Sequence, residues 1–153
     1  MNPTVLAGIL KRVYKKIDMS SFQNRLKIQK SVYLLQAWGI NLDYDFNFYL
    51  QGPYSTELTK DAFQMPDFTS IDVFRFPDEA TEKKLEEFIE FIEPHKDDIE
   101  WLKIAASLHL LNKLYSTQSK QEIIKRLVNL KFVNEKKTLS IWDELVARKL
   151  VKT

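Results

Sequence analysis

Residues 97 to 115 constrain this chain more than any other stretch. They carry Trp101, Leu102, Ile104, Ala105, Leu108, Leu111 and Leu114 at helical spacing, covering more than half of a helix circumference. A helix that apolar is buried on several sides, so the remaining elements must form a shell around it. With 153 residues, the chain fits one domain, 1–153, large enough to bury about two-thirds of the surface its unfolded form would expose. Hydrophobic residues at 44% supply the core and charged residues at 29% supply the solvated surface.

The candidate shell is mostly helical. Asn2 before Pro3 reads as a cap followed by proline at the first helical position, and Leu6, Ile9, Leu10, Val13 and Ile17 continue the stripe. Gly8 inside that helix costs about 1 kcal/mol relative to alanine, which is tolerable where another backbone approaches closely. Ser20 and Gln23 have capping-box spacing and open a second helix, whose Phe22, Leu26, Ile28, Val32, Leu35 and Trp38 stop at Gly39. Asp78 caps a helix bearing Leu85, Phe88, Ile89 and Ile92, closed by Pro94. Ser119 with Glu122, and Ser140 with Asp143, repeat the capping-box spacing and open two C-terminal helices, 119 to 131 and 140 to 150.

The period changes to two between Asp43 and Gln51, where Tyr44, Phe46, Phe48 and Leu50 share one face of a predicted strand. That strand runs into Gly52-Pro53-Tyr54-Ser55, read as a turn whose Ser55 caps a short helix with Leu58, Ala62 and Phe63, ended by Met65-Pro66. Residues 67 to 76 carry β-formers at loose alternation and are candidates to pair with the first strand. The expected class is mainly α (α+β): a compact helical domain of about six to seven helices, with one small β element at about 43–51 and a second candidate strand at 68–76. No internal repeat or linker interrupts it.

Several function classes lose their usual residues. The absence of cysteine removes disulfides and thiolate chemistry, and fits a reducing compartment such as the cytoplasm. The first helix carries Lys11, Arg12, Lys15 and Lys16, unlike a signal peptide or membrane span. His95 and His109 lack a ligand partner at metal spacing, and His109 reads as a core histidine bonded to a backbone carbonyl. Pro66-Asp67 followed by Glu82-Lys83-Lys84 has the letters of a metal-dependent nuclease, but Glu82 and Lys84 fall on a helical pattern. Such chemistry needs acids converging from adjacent strands. Glu57 with Asp61, and Asp43 with Asp45, are paired carboxylates that read first as surface acids. No phosphate loop, nucleophile elbow or zinc spacing occurs, so neither a cofactor nor a catalytic metal is expected and the chain does not read as an enzyme.

Charge is unevenly distributed. Residues 1–40, 41–100 and 101–153 carry net charges of +6, −11 and +7. Either basic ends pack beside an acidic middle, or both ends form a basic face for nucleic acid or an acidic partner. Lys120, Lys125, Arg126 and Lys131 on the first of the two C-terminal helices, and Lys136 and Lys137 in the connection to the second, are the candidate nucleic-acid contacts, in an order like that of a winged-helix or helix-turn-helix element. The second of these helices opens with Ile141, Trp142 and Leu145 where base-reading polar residues are usual, which favours packing.

From Arg25 to Asp61 the chain reads Leu26-Lys27-Ile28-Gln29-Lys30-Ser31-Val32-Tyr33-Leu34-Leu35-Gln36, then Gly39, an aromatic strand through Phe46 and Phe48, and Gly52-Pro53-Tyr54-Ser55 with Leu58 and Asp61. This quarter of the chain resembles the YwgA-like proteins of prokaryotes and phages and, more distantly, the Panacea domain of SocA-like antitoxins. The resemblance implies a non-enzymatic helical domain. In the antitoxin branch it implies neutralisation of a toxin encoded nearby by direct protein contact, sometimes as an adaptor for proteolysis. The chain departs from the antitoxin pattern at Tyr54-Ser55 and in its C-terminal region.

The same residues can be read without the family. Gln29 and Tyr33 are neighbours on one helix face, and the Gln29 amide is placed to satisfy backbone groups of the Gly52 segment as it crosses the helix. Lys27, Gln29, Lys30, Tyr33, Gly52, Pro53, Tyr54, Ser55 and Asp61 therefore form a structural clasp first and a binding surface second. The expectation is a protein-binding module, antitoxin-like or a phage-encoded inhibitor or adaptor, with a nucleic-acid-binding regulator as the alternative.

Overall fold

A computed structural model describes residues 1–130 and 133–152. Within them run seven helices and one two-stranded antiparallel sheet. The helices are α1 (Pro3–Leu10), α2 (Phe22–Ala37), α3 (Thr56–Phe63), α4 (Glu79–Ile92), α5 (Ile99–Leu114), α6 (Lys120–Asn129) and α7 (Glu135–Ala147), with strands β1 (Asn47–Tyr49) and β2 (Gly52–Tyr54) between α2 and α3. No helix among the described residues is long and apolar enough to cross a membrane.

As its composition requires, α5 is central. Asp98 caps it by accepting from the Trp101 amide at 3.0 Å, and its buried side chains run from Trp101 through Leu111. It packs against α2, α6, α7 and β2, and one hydrophobic core joins Leu6 near the start to Val151 near the end. Each fully buried leucine, isoleucine or phenylalanine contributes roughly 1.5–3 kcal/mol of burial free energy. The enclosing of α5 is therefore the main stabilising event.

At the N-terminus, Asn2 Oδ1 accepts from the amides of Thr4 and Val5, as the Asn-Pro pair predicts. The helix stops at Leu10, earlier than its apolar stripe. Val13 and Tyr14 still reach the core from the turns that follow. Gly8 meets the close backbone approach its presence implies: the Phe74 amide donates to the Gly8 carbonyl at 3.0 Å, and a Cβ at position 8 would lie 2.9 Å from that nitrogen. Gly8→Ala should therefore destabilise the protein by about 1–3 kcal/mol through overpacking, despite the helix propensity alanine brings. Urea denaturation checks it, and a stabilised variant would refute this account of Gly8.

That contact also corrects the candidate strand at 68–76. Phe68–Ser70 is a 3₁₀ turn capped by Asp67, and no part of 68–76 joins the sheet. Its backbone is satisfied by α1 and the turns after it: besides Gly8, Lys11 Nζ donates to the Ile71 carbonyl at 2.7 Å and Arg12 to the Phe74 carbonyl at 3.1 Å. An extended segment whose carbonyls are taken by side chains has no need of a strand partner.

Two caps also move. Ser21, not Ser20, caps α2, accepting from the Asn24 amide, while Ser20 bonds Asp18. In the C-terminal third the Ser119–Glu122 capping box forms as read. The Ser140–Asp143 box does not, because Asn134 caps α7 from Glu135 and places Ser140 inside the helix. The Asn134 side chain accepts from the Lys137 amide at 2.9 Å, so the helix begins at Glu135, five residues before the expected 140.

The strand expected over 43–51 shrinks to 47–49. Asp43 takes a left-handed conformation, φ 64°, which interrupts an extended run. The pairing is Asn47 with Tyr54, Phe48 with Pro53 and Tyr49 with Gly52. Gly52-Pro53-Tyr54 is therefore the returning strand of a hairpin and not the turn, which falls at Leu50 and Gln51. Neither Leu50 nor Gln51 has a positive φ; the glycine that follows them does, at 98°, the position at which a left-handed glycine after a tight turn lets two strands close.

Candidate functional site

The hairpin is locked from beneath by α2. Gln29 makes a paired contact with the backbone of Ser55: its Nε2 donates to the Ser55 carbonyl and its Oε1 accepts from the Ser55 amide, both at 2.9 Å. The same Nε2 reaches Thr59 Oγ1 at 2.9 Å, which lies 2.7 Å from the Tyr54 hydroxyl. One residue on, Lys30 Nζ donates to the Pro53 carbonyl. Ser55 caps α3 by accepting from the Leu58 amide. From the other side α5 presses on Gly52, where a Cβ would collide with Ser107 Oγ. Only a residue without a side chain fits there and also tolerates the positive φ.

The motif residues are accordingly internal. Gln29, Lys30, Tyr33, Gly52, Pro53 and Ser55 are buried and Tyr54 is half-buried. Tyr33 departs from its expected place. One turn beyond Gln29, it faces the chain before β1, packing edge-on to Phe46 at 5.2 Å, with its hydroxyl 2.7 Å from His109 Nδ1. His109 is thus bonded to a side chain and not to a backbone carbonyl. Lys27 and Asp61 lie outside the clasp: Lys27 pairs with Asp97 at 3.0 Å, while Asp61 accepts from the Tyr44 hydroxyl at 2.7 Å and the N-terminal ammonium at 3.1 Å.

Burial perturbs two bases here. Lys30 is 1% exposed, and desolvation, reinforced by the nearby Lys103 charge, pushes its ammonium down to about 7. Ser107 Oγ is buried without a hydrogen-bond partner. His109 is pushed down to about 4 by burial and then by Lys113, so its imidazole is neutral at physiological pH. His95 instead stacks on Trp101 at 3.8 Å and meets Glu144 at 3.0 Å.

The residues with nuclease letters are engaged elsewhere. Asp67 caps its own 3₁₀ turn. Glu82, on α4, accepts from Arg12 at 2.8 Å and from the Phe76 amide at 2.9 Å. The hydrogen bond from Arg12 holds its carboxyl below the usual range. No group of three His, Asp or Glu among the described residues is placed to hold a metal ion.

The C-terminal basic residues divide. Lys120 pairs with Asp143 at 3.5 Å and Lys137 with Asp98 at 3.2 Å. Arg126 donates to Gln118 and stacks over Tyr115 at 3.8 Å. Lys125 and Lys136 are exposed, and Lys131 lies outside the described residues. Ile141, Trp142 and Leu145 are buried, as the packing interpretation of these two helices requires.

What reaches solvent is a ridge that the alternation pattern does not reveal. Leu50, at the hairpin tip, is 87% exposed and Tyr49 is 51% exposed. With Phe48 and the exposed Leu130 they line a shallow cleft of about 380 Å³. Tyr49 packs edge-on to Tyr54 at 5.6 Å. Tyr54 in turn borders a second cleft with Phe22 and Phe63, 58% and 57% exposed, and with Arg25 between them. The Arg25 guanidinium lies 5.8 Å and 6.0 Å from those two rings. Period-two reasoning puts Leu50 on the inward face with Phe48; the hairpin turn carries it out instead. Comparison with known proteins adds nothing to this chemistry, since no family model, no curated protein and no solved structure matches the chain.

Proposed function

We propose that the chain is a non-enzymatic protein-binding module of the cytoplasm, an antitoxin-like or phage-encoded inhibitor or adaptor, and that it contacts its partner through the hairpin ridge. The observation that carries this reading is the surface line in which exposed Leu50, Tyr49, Phe22 and Phe63 are joined by half-buried Tyr54 and Arg25. Exposed apolar patches of this kind mark interaction sites, and tyrosine and arginine are, with tryptophan, the residues enriched at binding hot spots. The clasp beneath supports it physically. A ridge already fixed by Gln29, Lys30 and Ser55 loses little conformational entropy on binding. The resemblance of residues 25–61 to YwgA-like and Panacea-domain proteins points to the same class.

Co-expression with the product of the adjoining gene, followed by pull-down, tests the proposal. A complex is expected, and Leu50→Asp or Tyr49→Ala should weaken it by more than about tenfold without lowering the melting temperature. Absence of a complex, or a complex indifferent to both substitutions, would overturn it. The alternative of a nucleic-acid-binding regulator rests on exposed Lys125 and Lys136. It requires affinity for DNA or RNA that falls steeply with salt.

A further inference from the structure

A third cleft, of about 550 Å³, opens between the C-terminal half of α2, the connection 39–46 and α5. Its size lies within the range of about 300–1,000 Å³ usual for small-molecule sites. The wall formed by the connection is fixed by Gln36. The Gln36 Oε1 accepts from the Leu42 and Tyr44 amides at 3.2 Å and 3.0 Å, and its Nε2 donates to the Tyr44 carbonyl at 3.0 Å. The side chains of Leu42 and Tyr44 are anchored in the core. This cleft is therefore preformed.

Among its lining residues, the Tyr33–His109 pair is neutral and largely buried, and Phe46 presents an aromatic surface beside it. Two formal charges border the same space: the Asp45 carboxylate from the connection and the Lys113 ammonium from α5, one turn beyond His109. Neither forms an ion pair with a described residue, so the two are held more than 4.0 Å apart and do not neutralise each other. Separated opposite charges beside neutral aromatic groups complement a molecule with the same charge pair and an aromatic body.

We propose that this cleft binds a free aromatic amino acid, with its ammonium group taken by Asp45, its carboxylate by Lys113 and its ring packed against Phe46 and Tyr33. The site is separate from the hairpin ridge and independent of the protein-binding role.

The test is titration of the full chain with L-phenylalanine, L-tyrosine and L-tryptophan, read by calorimetry and by the His109 imidazole NMR signals. 3-Phenylpropanoate, which lacks the ammonium, and 2-phenylethylamine, which lacks the carboxylate, are titrated in parallel. At least one amino acid should bind and move the His109 signals, with the two truncated probes at least about tenfold weaker. Lys113→Met should reduce amino-acid affinity to that of 2-phenylethylamine and leave 2-phenylethylamine itself unaffected. Asp45→Asn should do the same relative to 3-phenylpropanoate. Both side chains are exposed, so neither variant threatens the fold. The proposal is overturned if none of the three amino acids moves the His109 signals at millimolar concentration, if the truncated probes bind equally well, or if both substitutions leave affinity unchanged.

Discussion

Gln29→Leu is expected to remove about 1–3 kcal/mol of stability, because it leaves the Ser55 amide buried without a partner, while the Ser55 carbonyl keeps the Thr59 amide at 3.2 Å. Leucine matches glutamine in bulk, so the loss reports hydrogen bonding and not a cavity. Ser55 is 1% exposed and Gln29 3%, so water cannot easily substitute. The loss is a large fraction of the roughly 5–15 kcal/mol that holds a typical domain together. It should also be local in origin. The Ser55 and Leu58 amides, held by Gln29 Oε1 and by the Ser55 cap, should exchange with solvent faster than amides of α5. Equilibrium denaturation and hydrogen exchange provide the measurements. Unchanged stability would mean that the hairpin does not depend on its clasp, and the claim that the ridge is preorganised would fall with it.

The second large effect concerns Lys30, whose ammonium donates to the Pro53 carbonyl and has no carboxylate partner among the described ion pairs. Burial lowers its value from 10.5 to about 7. Between those values the unfolded chain binds more protons at this site than the folded chain, so stability rises with pH across the window. Below about pH 7 both states are protonated and the penalty is present in full. One pH unit of such a difference corresponds to about 1.4 kcal/mol, so the climb from pH 7 to pH 10 should amount to a few kcal/mol. Lys30→Met should abolish that slope. At pH 7 it should stabilise the protein by about 1–3 kcal/mol, since an unpaired buried charge costs more than its single hydrogen bond returns. Denaturation of both proteins at pH 7 and pH 10 decides it: a flat wild-type profile, or a destabilised methionine variant, would contradict the account. A lysine retained at such a cost beneath the contact ridge is consistent with specifying where Pro53 sits.

Much of this fold is legible in the chain because helix signals are local. The Asn2-Pro3 start, the Asp78 cap, the Ser119–Glu122 box and the all-round apolar character of 97–115 depend on residues within a turn or two of one another, and each appears in place. Gly8 and Gln29 go further. A glycine inside a helix implies a neighbour too close for a Cβ, and a glutamine facing the Gly52 segment implies backbone groups to satisfy; Phe74 and Ser55 are those partners.

The rest was settled only when distant segments met. Whether 50–51 or 52–55 makes the turn depends on which residues pair across a three-residue ladder, and that pairing, Tyr49 with Gly52, sets Gly52 against Ser107 of α5. Tyr33 joins His109 because α2 and α5 bring positions 76 apart in sequence to 2.7 Å. The exposure of Leu50, Phe22 and Phe63 has the same origin: alternation and periodicity rank side chains by face, but no local pattern says which faces the tertiary packing leaves uncovered. Local signals in the chain specify most of the helices and the contact of Gln29 with the Gly52 segment. Tertiary structure alone decided the outward-facing ridge, because exposure is what remains after every long-range contact has been made.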